Sequence, residues 1–381
     1  MQQEYIGRGK ITSLELELNK FKPKKILLVT GKKSFTNCGA QEIVSPFLKD
    51  YKYLQFNDFA PNPTYEDALK GVALCKEQAI DMIIAIGGGS CIDIAKSINA
   101  LYSHPGEELS LIKGDTEIFN DLAPLIAIPT TAGTGSEATH FSVIYLEGKK
   151  YSLASSKLLP NSAIIDPVFT DTLPPYITAS TGFDALCQSI EACWSKSTTN
   201  ESKDYARQAI PLIIDNLIDA IKLGTRQSRE KLMIAANLSG KAINISKTTA
   251  PHALSYELAS RYNLSHGHSV ALTLGSFLIL HNNLIDQQAN TEYLADAMDE
   301  LFILLRVKNA QQAYHFWYKL MRDCGLEINI TEIGLDDEGI QKVISEINLE
   351  RLNNHPIYLS QNSLNSIFDI LRTTALTNNL S

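Results

Sequence analysis

Cysteine is scarce in this sequence: six residues in 381, scattered, with no CxxC pair. That excludes a disulfide-stapled scaffold and the paired-thiol motifs of zinc ribbons and redox proteins; free thiols packed in a core, in a reducing cytoplasm, are the expectation. Long apolar runs are also missing, since none reaches the ~18 residues that a membrane-spanning helix needs. The longest candidates, 270–280 and 210–221, are broken by Gly275 and Ser276 in one and by Asp215 and Asp219 in the other. The first five residues carry neither a basic stretch nor an apolar one, so no leader is expected. There is no excess of basic residues: 34 Lys and Arg against 42 Asp and Glu leave a net charge of −8, which argues against nucleic acid or an anionic membrane as partner. The GxGxxG dinucleotide fingerprint is absent as well.

What is present is a chain able to bury a large core, with 44% hydrophobic and 20% charged residues. Its length exceeds what one core usually holds, so two domains are expected. Up to about residue 165 short apolar runs alternate with helical patterns. Lys24–Thr30, Leu54–Phe59, Asp81–Ile86 and Leu125–Ile128 read as strands, and 64–78 as a helix with Ala68, Val72 and Cys75 on one face. Strand, glycine turn and helix in succession predict a doubly wound α/β sheet over residues 1–170. Beyond the Pro174-Pro175 break come long helical patterns at 180–193, 203–221 and 228–244, which predict an all-helical domain over 171–381, with a frayed polar end from Thr373.

Two loops carry the first chemistry. Gly87-Gly88-Gly89-Ser90 follows a strand and opens a helix, where glycines let backbone N–H groups approach an anion and the helix N-terminus favours negative charge. The segment 130–137, TTAGTGSE, follows another strand and adds the hydroxyls of Thr130, Thr131, Thr134 and Ser136. Two such loops at strand ends are where an open α/β sheet takes a nucleotide. Further on, Asp184 and Gln188 stand four apart on one helix face, and His252 and His266 supply imidazoles. A carboxylate and two histidines make a three-donor metal set that leaves positions open for a substrate oxygen.

Taken in order, GGGSxxDxAK (87–96), IPTTAGTGSE (128–137), DP (166–167), GxDAL (182–186) and HG (266–267) resemble the iron-containing, group III alcohol dehydrogenases over residues 5–372. The resemblance implies an α/β dinucleotide-binding domain followed by an all-α domain, the fold shared with dehydroquinate synthase. By the same resemblance Gly87, Gly88, Gly89 and Ser90 hold the pyrophosphate, with Asp93 and Lys96 at the start of the following helix. Thr130, Thr131, Thr134, Thr139 and Lys150 line the cofactor, and Asp184, residue 188, His252 and His266 hold Fe(II) or Zn(II).

The sequence departs from that pattern in three places. Gln188 stands where the family has a histidine ligand, and an amide oxygen is a poorer ligand for these metals. The glycine-containing stretch before the first histidine is replaced by Lys247-Thr248-Thr249, and Tyr256 stands where a further histidine is common. A lysine and two hydroxyls suit an anionic tetrahedral group on the substrate. The wording of 184–195 and 245–256 resembles the branch that reduces phosphonoacetaldehyde to 2-hydroxyethylphosphonate, in phosphonate biosynthesis. The expectation is therefore a metal-dependent, NAD(P)H-linked aldehyde reductase, with Tyr256 or His268 passing the proton and Lys247, Thr248 and Thr249 holding the phosphonate. Gly31-Lys32-Lys33 after the first strand would permit NADP(H), while the resemblance favours NAD(H). A homodimer is compatible with the helical domain. The alternatives are a dehydrogenase of uncharged short alcohols, a non-redox lyase of the dehydroquinate synthase type, and a catalytically dead nucleotide binder.

Overall fold

The computed structural model describes residues 2–288, 291–347 and 352–377, the side chains of 374–377 apart. It divides into two compact units, one ending at Leu173 and the other beginning at Pro174.

In the first unit the strands are β1 (Gln3–Ile6), β2 (Ile26–Thr30), β3 (Tyr53–Phe56), β4 (Met82–Gly87), β5 (Leu125–Pro129), β6 (Phe141–Leu146), β7 (Lys149–Ala154) and β8 (Ser162–Ile165). Six of them form one parallel sheet in the order β1-β8-β5-β4-β2-β3, and β6 and β7 pair as a separate antiparallel hairpin. The helices are α1 (Ser13–Phe21), α2 (Ser34–Asn37), α3 (Ala40–Leu48), α4 (Tyr65–Gln78), α5 (Gly89–Tyr102) and α6 (Glu108–Lys113). The central strands are apolar throughout because both sheet faces are covered. Leu27, Val29, Ile83, Ala85, Leu125 and Ala127 pack with Ala68, Val72, Ile94 and Ile98 of α4 and α5. Their neighbours Ile26, Leu28, Ile84, Ile86, Ile126 and Ile128 pack with Leu14, Leu18, Val44 and Leu48 of α1 and α3. The period-two alternation thus splits one sheet between two cores.

The second unit is built, among the described residues, from helices alone: α7 (Pro175–Trp194), α8 (Asn200–Lys222), α9 (Arg226–Ser246), α10 (Ala250–Tyr262), α11 (His266–Leu284), α12 (Glu292–Leu304), α13 (Ala310–Asp323), α14 (Ile330–Ile333), α15 (Asp337–Ser345) and α16 (Gln361–Thr377). Pro175 occupies the first helical position of α7, where its missing N–H costs nothing. From Thr178 to Trp194 that helix is almost wholly buried, with α8, α9 and α11 packed around it. Gly182 admits Leu217 of α8, whose Cδ1 lies 2.4 Å from where a Cβ would stand. The end expected to fray from Thr373 stays helical to Thr377; 378–381 lie outside the described residues.

Candidate active site

Two separate clusters account for the residues singled out above. In the first unit, β4 runs straight into α5 through Gly87 and Gly88, and Thr130 N–H donates to the Gly87 carbonyl at 3.0 Å, which brings the second loop alongside the first. A Cβ on Gly88 would meet Thr131 Oγ1 at 3.3 Å, and one on Gly89 would meet the Thr134 side chain at 2.7–3.0 Å. The glycines therefore let the two loops touch at the N-terminus of α5, beside the side chains of Thr131 and Thr134, an arrangement that fits a pyrophosphate. Gly89→Val would drive its side chain into Thr134. Overpacking of about 1–3 kcal/mol then predicts nucleotide binding weakened roughly 5- to 150-fold. NADH fluorescence titration measures it, and an unchanged Kd would remove Gly89 from the cradle.

Other residues expected on the cofactor sit behind this loop. The Asp93 carboxylate accepts from Ser136 Oγ at 2.5 Å and from Val143 N–H at 3.2 Å. Lys96 has no solvent exposure, and its ammonium donates to Ser136 O, Thr139 O, Thr139 Oγ1 and Phe141 O at 2.7–3.0 Å. Burial lowers its pKa to about 8 against the opposing pull of Asp93 and Glu137. Burial pushes Asp93 up, with Lys96 and Lys150 holding it back. Thr139 is buried within this cage, while Ser90 Oγ donates to the Pro61 carbonyl. These groups shape the cradle from behind.

In the second unit, α7 presents Asp184, Gln188 and Glu191 at spacings of four and three, one buried polar face on an apolar helix. α11 meets it through Gly267: a Cβ there would lie 2.0 Å from Ser180 O and 2.8 Å from Asp184 Cβ. This is the physical content of the His266-Gly267 pair, since only glycine lets His266 come so near Asp184. Asp184, His252 and His266 form a trio with ligand atoms all within 4.8 Å of one another. Asp184 Oδ1 is 3.4 Å from His252 Nε2 and 3.8 Å from His266 Nε2. Both Asp184 Oδ1 and His252 Nε2 are buried without a hydrogen-bond partner. Two orphaned polar atoms turned toward each other are costly unless a cation lies between them, so the donor set fits a divalent metal. Burial pulls His252 down, but Glu191 and Asp184 outweigh it and raise its pKa to about 9. Asp184 is lowered in spite of its burial, by His266, His252 and Gln188. Each shift registers the same preference for positive charge at this point. His266 keeps 40% of its side chain exposed, so one side of the trio is open.

Gln188, expected as a fourth ligand, turns its amide oxygen to the Ser239 hydroxyl at 2.8 Å and hydrogen-bonds the Asp184 carboxyl. Tyr256 stacks on His266, with ring centroids 5.7 Å apart and planes 8° from parallel. His268 faces elsewhere, with Nε2 donating to Glu327 O at 2.7 Å and Nδ1 3.3 Å from the Tyr176 hydroxyl. Lys247 is exposed at the end of α9, Thr248 is half-buried, and Thr249 is buried at the N-cap of α10. The Lys247 backbone adopts φ 57, ψ 179, a region that side chains other than glycine's rarely enter. It is held by Asn354 Nδ2, which donates to Ser246 O at 2.8 Å and Thr248 O at 3.0 Å, and by Ser195 Oγ on Ser246 O. Sequence reasoning missed Glu191, although its i+7 spacing from Asp184 was a usable signal. It also missed Asn354, which lies more than 100 residues away and carries no signal.

A model of the iron-containing alcohol dehydrogenases matches residues 2–167, and one of the Fe-containing alcohol dehydrogenase family C-terminal region matches 178–373. The long-chain-alcohol dehydrogenase 1 of Geobacillus thermodenitrificans is 28% identical over 375 residues, 96% of this chain and 94% of that protein. The 1,3-propanediol dehydrogenase of Klebsiella pneumoniae is 32% identical over 321 residues, 82% of each. Among solved structures, a sulfoacetaldehyde reductase from Bifidobacterium kashiwanohense in complex with NAD+ superposes with a TM-score of 0.87 at 26% identity, covering 98% of this chain and 97% of that one. With these matches spanning both units, the chain belongs to the iron-containing alcohol dehydrogenase family and is an oxidoreductase of alcohols and aldehydes.

Proposed function

We propose that this enzyme reduces a small aldehyde carrying an anionic tetrahedral group, phosphonoacetaldehyde, to 2-hydroxyethylphosphonate. The observation that carries the reading is Lys247. A lysine in a glycine-like backbone conformation costs about 1–3 kcal/mol, and such strain is retained where the side chain has a task. Its ammonium has no ion-pair partner among the described residues, and it stands three residues before α10, which bears His252. The Thr249 hydroxyl is already committed, donating to Glu191 and accepting from Trp194 Nε1. Lys247 and Thr248 are therefore the groups left for the anion. The NAD+-bound neighbour named for sulfoacetaldehyde supports a two-carbon aldehyde with a charged head group.

In this reading Asp184, His252 and His266 hold the metal and the Gly87–Ser90 and Thr130–Thr134 loops hold the dinucleotide. When bound, a divalent cation supplies Lewis acidity toward the carbonyl oxygen and a reduced nicotinamide supplies hydride. Lys247 fixes the far end of the substrate. Tyr256 holds its phenol proton beside His266 and delivers it to the oxygen of the new alcohol, with water restoring it. His268, engaged at both ring nitrogens, holds Tyr176 in place. The balance is aldehyde, NADH and one proton to alcohol and NAD+. NADH is the preferred reductant: Lys32, which could have met a 2′-phosphate, is paired with Asp58 at 3.2 Å.

Lys247→Gly removes the ammonium and relieves the strain together. Loss of a charged hydrogen bond of about 1.5–3 kcal/mol predicts a roughly 10- to 150-fold fall in kcat/KM for phosphonoacetaldehyde, with propionaldehyde spared and thermal stability kept. NADH oxidation with each aldehyde, on protein loaded with Fe(II) or Zn(II), decides it. Equal losses on both aldehydes, or a wild-type enzyme indifferent to substrate charge, would leave a dehydrogenase of uncharged short alcohols.

A further inference from the structure

Glu191 has no solvent exposure and is used on both sides. Its Oε1 accepts from His252 Nδ1, and its Oε2 accepts from Thr249 N–H at 2.5 Å and Thr249 Oγ1 at 2.7 Å. We propose that Glu191 is a positioning residue that ties the metal trio to the loop 247–249, so that one carboxylate sets both the ligand His252 and the segment that carries Lys247.

The chemistry follows from the two oxygens. An acceptor on Nδ1 fixes the tautomer and tilt of the His252 ring, leaving Nε2 turned to Asp184 Oδ1; a carboxylate in that place also makes the imidazole a better donor to a metal. The second oxygen takes a free N–H at the start of α10, where the helix dipole favours negative charge. Thr249 is thereby pinned two residues from Lys247 and three from His252. Neither neighbouring residue type can do both. Glutamine offers one acceptor and one donor, so it would turn an NH2 toward either the His252 N–H or the Thr249 N–H. Aspartate is one methylene too short to reach both. The loop half of the proposal rests on the anionic-substrate reading above; the metal half does not.

The test uses the full-length chain and two probes, Zn(II) in competition with a chromogenic chelator, and methylphosphonate as an inhibitor of propionaldehyde reduction at saturating zinc. E191Q is expected to bind Zn(II) about 10- to 100-fold more weakly and to be inhibited less by methylphosphonate. E191D, which keeps the charge but is too short to reach both partners, serves if E191Q does not fold, and is expected to weaken both zinc binding and methylphosphonate inhibition, each by less than E191Q. A lowered melting temperature with zinc affinity unchanged would mean that Glu191 only packs, and would overturn the proposal. Weaker zinc binding with unchanged methylphosphonate inhibition would overturn the coupling to the loop. A wild-type enzyme that methylphosphonate does not inhibit would sink the anionic-substrate reading, while the zinc measurement still decides the role on His252.

Discussion

Asp184→Asn is expected to abolish metal-dependent turnover, with kcat falling at least ~10³-fold on charged and neutral aldehydes alike. Lewis-acid stabilisation contributes several kcal/mol, and each 1.36 kcal/mol is tenfold in rate. The substitution keeps the shape of the side chain but removes the only carboxylate among the three donors, and its amide would face His252 across the 3.4 Å gap. Two imidazoles, only that of His252 buried, make a poor cation site without that charge. Metal content by mass spectrometry after dialysis, beside NADH oxidation with Fe(II) or Zn(II) restored, gives the answer. A variant that keeps stoichiometric metal and turns over near the wild-type rate would rule out Asp184 as a ligand. Chelation of the wild-type enzyme is expected to reproduce the loss reversibly, because the donor residues remain.

Lys96→Met is expected to have the largest effect on stability, about 3–5 kcal/mol. Methionine fills the space, but Ser136 O, Thr139 O, Thr139 Oγ1 and Phe141 O would lose their shared donor inside the protein, and Asp93 would lose the charge that offsets its burial. For a unit of this size that corresponds to a melting point lower by roughly 6–20 °C. The segment Lys96 holds runs from the Thr134 loop into β6, so the KM for NADH is expected to rise while Zn(II) affinity, which belongs to the other unit, stays put. A variant as stable as wild type would mean that the ammonium's desolvation cost cancels its hydrogen bonds to the four acceptors around it.

The sheet was legible because its strands are short apolar runs closed by glycine or proline. The predicted strand at 81–86 is β4 within a residue at each end, and the one at 125–128 is β5. The hairpin β6–β7 was not read. β7 opens on Lys149-Lys150 and buries only Leu153, and the hairpin's register depends on an antiparallel partner rather than on a buried run. β8 is only four residues long, and β1 reads as a polar N-terminal segment until it pairs with β8. The long helices of the second unit were anticipated too short. α7 begins at Pro175, five residues ahead of the expected start, because proline at a first helical position opens a helix as readily as it breaks one.

The sequence by itself determined the family and the order of its parts: a glycine-rich turn after a strand, hydroxyls after the next, a carboxylate on a helix, and two histidines fourteen residues apart. These are local patterns, carried by residue type and spacing. What only the tertiary structure decided is which side chains meet. Lys96 turned out to cage the 134–141 segment from behind, Gln188 to steady Asp184 with its oxygen on Ser239, and Glu191 to join His252 to Thr249. The strain at Lys247 is likewise invisible in the sequence, and the carbonyls on either side of it are held by Asn354 from another part of the chain. The reason is the same in each case. A buried polar atom must find a partner wherever packing brings one, and that choice is made across tens of residues by the fold, not by the neighbours in sequence.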